Sequence, residues 1–527
     1  MQAQPSAARP AELAPQSRPG GGAAAGAPTL VVFLTIDQFR GDYLARYGSQ
    51  LTGGLKRLRT AGAVFANGFH DHGITETAPG HSVTMSGRFP VHTGIVMNSQ
   101  GVNTRDYPLL FQVQGPGAAP FRFQGTTLTD WLVASDRRSR ALSVSRKDRG
   151  AILPIGRSRQ AVFWYSSDGE FTTSTWYGDT LPGWVVMFNA QQVPRNSAGS
   201  SWTLLRPAGD YAEPDSVPRE SNGRDFVFPH LMSADSAVAA ASFAAFPAMD
   251  SLTLAFALRG LEAMKLGTGP QVDLLNVSLS TTDAIGHRFG PDSRELHDQI
   301  LRVDRYLGTF LDSLFRLRDS TRIVIALTGD HGVTPLPGVT LYDQNQGATV
   351  VRLDTVSSLM RAGLLRARVD PAKAADFDDG VLLVDRAYLR GTSVNADSLV
   401  DWFAAEARKV PGVWRADRMR DLARADTVHD DVARRWLHMF DPARTNVALV
   451  VTTHPWSVWS LGGIAMHGSP HDNDANVPVV FWGPPFKPGL FPDTVRVVDM
   501  APTLAAALGV TPLEKLDGRV LTQAFRP

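Results

Sequence analysis

Apolar residues run almost unbroken over 29–36, several of them β-branched, which is the pattern of a strand covered on both faces. Similar runs predict strands over Ala141–Ser145, 274–280, 322–327 and 477–482. Between them the period lengthens. Leu296, Ile300, Val303, Leu307, Phe310, Leu314 and Leu317 recur at alternating steps of four and three, so they form one face of an amphipathic helix laid on a core. Further helices are predicted over Gly54–Ala61, from Thr77 onward, over 253–264 and over 502–508. Pro79 suits a first helical turn and places Thr77 at or next to the N-cap, beside free backbone N–H groups that favour an anion. Strands alternating with helices predict an α/β fold, with a central, mostly parallel sheet carrying helices on both faces.

Two stretches break the rhythm. Residues 156–247 are aromatic and punctuated by Gly and Pro, as in Phe163-Trp164-Tyr165 and Trp176-Tyr177-Gly178, and read as an elaborated insertion near the site. Residues 335–461 read as a second insertion with its own small core, containing a strand-like 349–353, a helix over 398–407 and a strand over 446–452. The catalytic domain is then expected over 29–509, followed by a C-terminal tail at 510–527. Residues 1–28, rich in Ala, Pro, Gly and Gln, have little to bury and are expected to be a disordered leader.

Composition narrows the chemistry. With 527 residues and 43% hydrophobic content the chain can bury a large core, and a formal net charge of +1 supplies no global field for nucleic acid or membrane. Cysteine is absent, which excludes disulfides, thiolate zinc sites and a cysteine nucleophile, so metal ligands must be His, Asp or Glu. The strongest apolar run is far too short to span a bilayer, and no charged segment followed by an apolar one opens the chain. The expectation is a soluble protein, with no nucleic-acid partner and no membrane span. Its oligomeric state stays open, with a monomer as the simplest reading.

In parallel sheets ligands bind beyond the carboxyl ends of the strands. Asp37, Lys147, Asp283 and Asp330 each follow a predicted strand. Asp283-x-x-x-His287, Asp330-His331, His467 and Asp37 together offer three carboxylates and three imidazoles, the ligand types zinc accepts when thiolate is missing. Six ligands exceed one tetrahedral ion and suit two, which at about 4 Å separation form the clamp used in phosphoryl transfer. A cation beside Thr77 would ease loss of its hydroxyl proton, as zinc lowers the pKa of water from about 15.7 to about 7. Lys147 and Arg149, two steps apart on a segment read as extended, would point two cations the same way, as a dianionic phosphoryl group requires. Asn98 would add an amide donor.

The ordered set Asp37, Thr77-Ala78-Pro79-Gly80-His81, Asn98, Lys147-Asp148-Arg149, Asp283-x-x-Gly286-His287, Gly329-Asp330-His331-Gly332, His467-Gly468 and Asp499-Met500-Ala501-Pro502-Thr503-Leu504 resembles the alkaline phosphatase superfamily. More narrowly, it is similar to the PafA-type, threonine-nucleophile alkaline phosphatases, from about Thr29 to Gly509. The resemblance implies two zinc ions per chain, a phosphothreonine intermediate at Thr77, small-molecule phosphate monoesters as substrates, and a periplasmic or secreted location. It further implies one zinc on Asp283, His287 and His467, the other on Asp37, Asp330, His331 and the Thr77 oxygen, with Asn98, Lys147 and Arg149 holding the phosphoryl oxygens. His471 is a reserve for His467, and His81 is expected to support the turn by hydrogen bonding. Ala78 stands where the family more usually has glycine. The alternative on the same di-zinc core is a phosphodiesterase or nucleotide pyrophosphatase, for which the aromatic run Phe163–Tyr165 would supply an apolar pocket. A sulfatase is disfavoured by the missing cysteine, and a binding-only protein by a ligand set with no position broken.

Overall fold

The computed structural model describes residues 26–110, 115–338, 348–459 and 463–527. Residues 1–25 of the expected leader, and 339–347 and 460–461 of the second expected insertion, lie outside the described residues.

Ten strands form the central sheet: β1 (Leu30–Ile36), β2 (Ala63–Phe69), β3 (Ala141–Ser145), β4 (Ala161–Tyr165), β5 (Phe171–Thr172), β6 (Asp273–Leu279), β7 (Ile323–Gly329), β8 (Asn476–Trp482), β9 (Gly489–Phe491) and β10 (Val495–Arg496). Their order is β9-β2-β8-β7-β1-β6-β3-β4-β5, with β10 also on β2. The run from β7 to β4 is parallel, whereas β8 is antiparallel to both neighbours and β5 to β4. Ile36 sits opposite both Leu279 and Gly329. Three adjacent strands therefore end level, and residues 37, 280 and 330 emerge side by side.

The helices that matter for the site and its support are α1 (Gly54–Ala61), α2 (Thr77–Thr84), α3 (Asp148–Ile152), α4 (Ala248–Ala263), α5 (Thr281–Phe289), α6 (Arg294–Leu317) and α7 (Met500–Leu508). Alternation along β1 sends Leu30, Val32, Leu34 and Ile36 into one core with α1, α4 and α6, and Val31 and Phe33 into the opposite core with α2, α3 and α7. Both faces are covered, which is why the strand reads as an unbroken apolar run.

Four elements differ from the sequence reading. Strand β2 was not foreseen, because Asn67 and Gly68 interrupt its apolar pattern where its register against β8 shifts. The aromatic run Phe163-Trp164-Tyr165 belongs to β4, with Phe163 and Tyr165 buried in one core and Trp164 in the other. It is a sheet strand whose three rings are buried. Helix α4 begins earlier than expected, at Ala248 behind Pro247, and the strand-like 349–353 shortens to Val350–Val351.

Between the last two long strands of the central sheet, Ala375–Asp378, Val381–Val384, Val447–Thr453 and Val413–Arg418 pair in that order as a separate antiparallel sheet. Helices Asp354–Arg366 and Ala396–Ala407 cover it around Met360, Leu382, Phe403 and Leu449. A further cluster packs Ile74 and Met97 against Val381, Trp436 and Val450, which fixes this sheet to the segments leading into Thr77 and Asn98. Among the described residues no single helix is long and apolar enough to cross a membrane.

Asp71 pins the same junction. Its carboxylate accepts from Arg434 at 3.0 Å and Arg435 at 3.4 Å, pairs with Arg496 at 2.9 Å, and is itself buried. Burial pushes its pKa up, but Arg434, Arg496 and His438 outweigh this and hold it below the usual carboxylate range. The contribution to stability is therefore complete above about pH 4 and lost only as the pH falls through that lowered value. Asp71→Asn leaves the arginines without their shared counter-charge, and is expected to cost about 3 kcal/mol in urea unfolding; an unchanged midpoint would rule out this clamp.

Candidate active site

The level strand ends gather the candidate ligands. Asp37 follows β1, Asp330 and His331 follow β7, and Asp283 lies in the first turn of α5, which begins two residues after β6. Thr77 is the first residue of α2, behind Glu76 at the N-cap. The helix is pressed onto the end of β7: a Cβ at Gly80 would lie 2.0 Å from the Asp330 carbonyl oxygen, so only glycine permits this approach. His81 Nδ1 lies 2.9 Å from the Thr77 carbonyl oxygen and 3.1 Å from the Asp330 carboxylate, while its Nε2 meets Ser278 Oγ at 2.9 Å. His81 braces the turn.

Three imidazoles are oriented alike. Nδ1 of His287 donates to the Ala465 carbonyl at 2.8 Å, Nδ1 of His467 to that of Thr75 at 2.9 Å, and Nδ1 of His331 to that of Gly332 at 2.9 Å. Because a carbonyl only accepts, each Nδ1 carries the proton and each Nε2 is turned inward as a ligand atom. His287 Nε2 and His467 Nε2 are 3.1 Å apart and lie 3.1 and 3.6 Å from Asp283 Oδ1, and His331 Nε2 is 3.4 Å from Asp37 Oδ1. Two ligand groups result: Asp283, His287 and His467, and Asp37, Asp283 and His331. Asp283 belongs to both.

The donor set fits divalent cations. Asp37 Oδ1 and His331 Nε2 are buried without a hydrogen-bond partner, which is costly unless a cation satisfies them. Burial and the neighbouring His331 hold His467 down at about 4, so it is neutral, as a ligand must be. Burial would also lower His331, but Asp330 and Asp37 raise it to about 9. That negative field, which holds a proton at Nε2, attracts a metal cation equally. For Asp283 burial works upward, yet Lys147 and His287 keep it well below the usual range.

Asp330 lies next to His331 at the second group. Its Oδ1 accepts from the Gln38 N–H at 3.0 Å, and its Oδ2, buried without a hydrogen-bond partner, lies 3.1 Å from His81 Nδ1 and 3.6 Å from His331 Nε2, so Asp330 and Asp283 both stand beside the second group. Gln38, which the sequence reading passed over, has φ 62° and also donates from Nε2 to Asp283 Oδ1 at 3.0 Å. The left-handed turn after Asp37 is what lets one residue orient two candidate ligands. His471 faces the Thr453 carbonyl at 2.8 Å and joins neither group, whereas His467 stands in the first.

Lys147 and Arg149 do not form the parallel pair expected from an extended segment. Only Lys147 is extended, as the N-cap of α3, and Arg149 is already helical, because Asp148 suits the first turn. The Lys147 ammonium donates to Thr77 Oγ1 at 3.1 Å and lies 2.7 Å from both Asp37 and Asp283. The Arg149 guanidinium is half-buried near Glu76 and Asp148. Asn98 Oδ1 accepts the Ala78 N–H at 2.9 Å, which leaves its Nδ2 hydrogens for an incoming oxygen. Its own N–H donates to Glu76 Oε2 at 2.7 Å.

Glu76 was also unforeseen, as was its partner. Asp379 meets the Glu76 carboxyl, and burial together with the charges of Glu76 and Asp378 pushes it up to about 8. Glu76 is likewise raised, by burial, against the Asn98 N–H that would lower it. A signal for Asp379 exists in the sequence: Asp379-Gly380 between the alternating Ala375-Asp376-Phe377-Asp378 and the apolar run Val381–Val384 is a hairpin turn, and both residues have positive φ, 45° and 79°.

Known proteins resemble this chain over most of its length. The profile of the family described as type I phosphodiesterase / nucleotide pyrophosphatase matches residues 31–442. The chain is 31% identical to alkaline phosphatase PhoV of Synechococcus elongatus, over 95% of this chain and 93% of that one. It is 28% identical to alkaline phosphatase PafA of Elizabethkingia meningoseptica, over 94% of each. The crystal structure of wild-type PafA superposes with a TM-score of 0.85 at 25% identity, covering 95% of this chain and 99% of that one.

Proposed function

The chain belongs to the type I phosphodiesterase / nucleotide pyrophosphatase family, and within it we propose that this protein hydrolyses phosphate monoesters through a phosphothreonine at Thr77, releasing inorganic phosphate. The observation that carries this reading is the Thr77 hydroxyl itself. It stands at a helix N-terminus, 3.1 Å from the Lys147 ammonium, beside two groups of ligand atoms and next to an Asn98 amide whose donors are free. Zinc ions on Asp283, His287 and His467 and on Asp37, His331 and Asp330 would supply positive charge for the reacting oxygens.

The chain's own groups do the positioning. Lys147 favours the deprotonated Thr77 oxygen, which attacks phosphorus as the ester P–O bond breaks and the alcohol oxygen leaves. Asn98 Nδ2 and the Arg149 guanidinium hold phosphoryl oxygens through the transfer. Water then attacks the same phosphorus, the bond from Thr77 Oγ1 to phosphorus breaks, and phosphate departs.

A second reading, phosphodiester hydrolysis, is favoured by the description of the matched family. The alkaline phosphatase relatives and the cations at 147 and 149 favour the monoester, whose dianion has more charge to neutralise, and the aromatic side chains of β4 are packed into the two cores. Lys147→Ala combined with Arg149→Ala is expected to lower kcat/KM for an aryl phosphate monoester at least about 100-fold, and for the matched diester less than about tenfold. Equal losses on both substrates would remove the monoester assignment. Zinc as the metal is checked by elemental analysis of the purified chain, and a periplasmic or secreted location, proposed from the alkaline phosphatase resemblance, by cell fractionation.

A further inference from the structure

A cavity of about 310 Å3 lies between the hairpin tip at 378–380 and the start of helix Asp354–Arg366, lined among others by Phe377, Asp378, Asp379, Trp459, Arg352 and Arg361. Its position is set by the hairpin turn. Strands Ala375–Asp378 and Val381–Val384 are joined through Asp379-Gly380, and this tip is carried onto the catalytic rim. Asp379 touches the Glu76 carboxyl, one residue before Thr77, and Asp378 Oδ2 accepts from Ser99 Oγ at 3.4 Å, one residue after Asn98. Two residues that line the cavity therefore touch the chain neighbours of the nucleophile and of the amide proposed to hold the phosphoryl group.

Its walls have a definite chemistry. Phe377 and Trp459 meet edge to face at 6.1 Å and present ring surface, which suits the C–H face of a ring. Two carboxyl groups at the catalytic end accept hydroxyl hydrogens and repel a second anion placed next to the ester. Arg361 is already paired with Asp376 at 3.0 Å, which weakens its claim on an anionic substituent.

Building on the monoesterase reading, we propose that this cavity is the leaving-group subsite and that it takes a ring-shaped leaving group bearing vicinal hydroxyls, as in a sugar phosphate or the ribose of a nucleotide. Asp378 and Asp379 hold the hydroxyls and Trp459 packs against the ring. The preferred substrates are then monoesters of polyhydroxylated alcohols.

The test compares kcat/KM for glucose 6-phosphate, adenosine 5′-phosphate and ethyl phosphate, in the wild type and in Asp378→Ala, Asp379→Asn and Trp459→Leu. Asparagine keeps the left-handed turn at 379, so Asp379→Asn remains informative should Trp459→Leu fold poorly. Loss of one such contact is expected to lower the ratio of hydroxylated to ethyl substrate by about tenfold. A fall confined to glucose 6-phosphate or to the nucleotide supports the subsite and identifies which ring it holds. Ratios that stay within twofold of wild type, or equal losses on ethyl phosphate, would overturn it. A wild type that hydrolyses none of the three monoesters defeats the monoesterase reading first, and the subsite with it.

Discussion

Replacing Thr77 by alanine is expected to lower kcat/KM for an aryl phosphate monoester by about 10⁴-fold or more, and to abolish the phosphorylated protein that acid quenching should trap from the wild type. The size of the effect follows from what the hydroxyl is free to do. A threonine at a helix start ordinarily spends its oxygen on the exposed backbone N–H groups. Here Thr77 is already inside α2, the cap position belongs to Glu76, and the Ala78 N–H is taken by Asn98. The contact recorded for Oγ1 is the Lys147 ammonium. The substitution thus removes no cap, and α2 stays fixed by Gly80 against Asp330 and by His81. Loss of turnover can be read as loss of the nucleophile once circular dichroism and the melting temperature match the wild type. Thr77→Ser, which keeps an oxygen on Cβ, is expected to retain the phosphoenzyme. Turnover by Thr77→Ala within tenfold of the wild type would end the covalent mechanism.

What could be read from the sequence, and what could not, divides along a physical line. A buried parallel strand announces itself by an apolar run, so β1, β3, β6, β7 and β8, and with them the positions of Asp37, Lys147 and Asp330, were visible. Strand β4 also had that pattern, but its aromatic density in a Gly-rich neighbourhood read as loop. Strand β2 bends through a register shift at residues too polar to signal it. Residue types and order pointed to the candidate donors, whereas which of them come together depends on side-chain direction. Asp283 reaches both groups because α5 begins directly beyond β6, and the Gln38 N–H holds one Asp330 oxygen while the other stays 3.6 Å from His331 Nε2. Such directions depend on contacts between residues hundreds of positions apart, for which no local pattern exists. Glu76 and Asp379, 303 positions apart in the numbering (379 − 76), are the clearest example: each is unremarkable alone, and their meeting requires the second sheet to dock against Ile74 and Met97.

The shared position of Asp283 leads to the other large effect expected. Asp283→Asn keeps the shape of the side chain, and its Oδ1 can still accept from Gln38 Nε2 and its neighbours, so the fold should persist. It removes the one negative charge common to both ligand groups. A carboxylate lost from one group alone would weaken one ion; here each group loses its anionic member or one of two, and the three inward Nε2 atoms face less negative charge. Elemental analysis after dialysis is expected to show both ions depleted together, not one retained at full occupancy, and monoester turnover should fall roughly 10³-fold or more. His471→Asn is the matching control, because His471 faces the Thr453 carbonyl and stands outside both groups; its metal content should equal that of the wild type. Full metal in Asp283→Asn would show that Asp283 is dispensable as a ligand and return the second group to Asp37, Asp330 and His331. Loss of metal in His471→Asn would mean that the last imidazole ligand had been assigned to the wrong histidine.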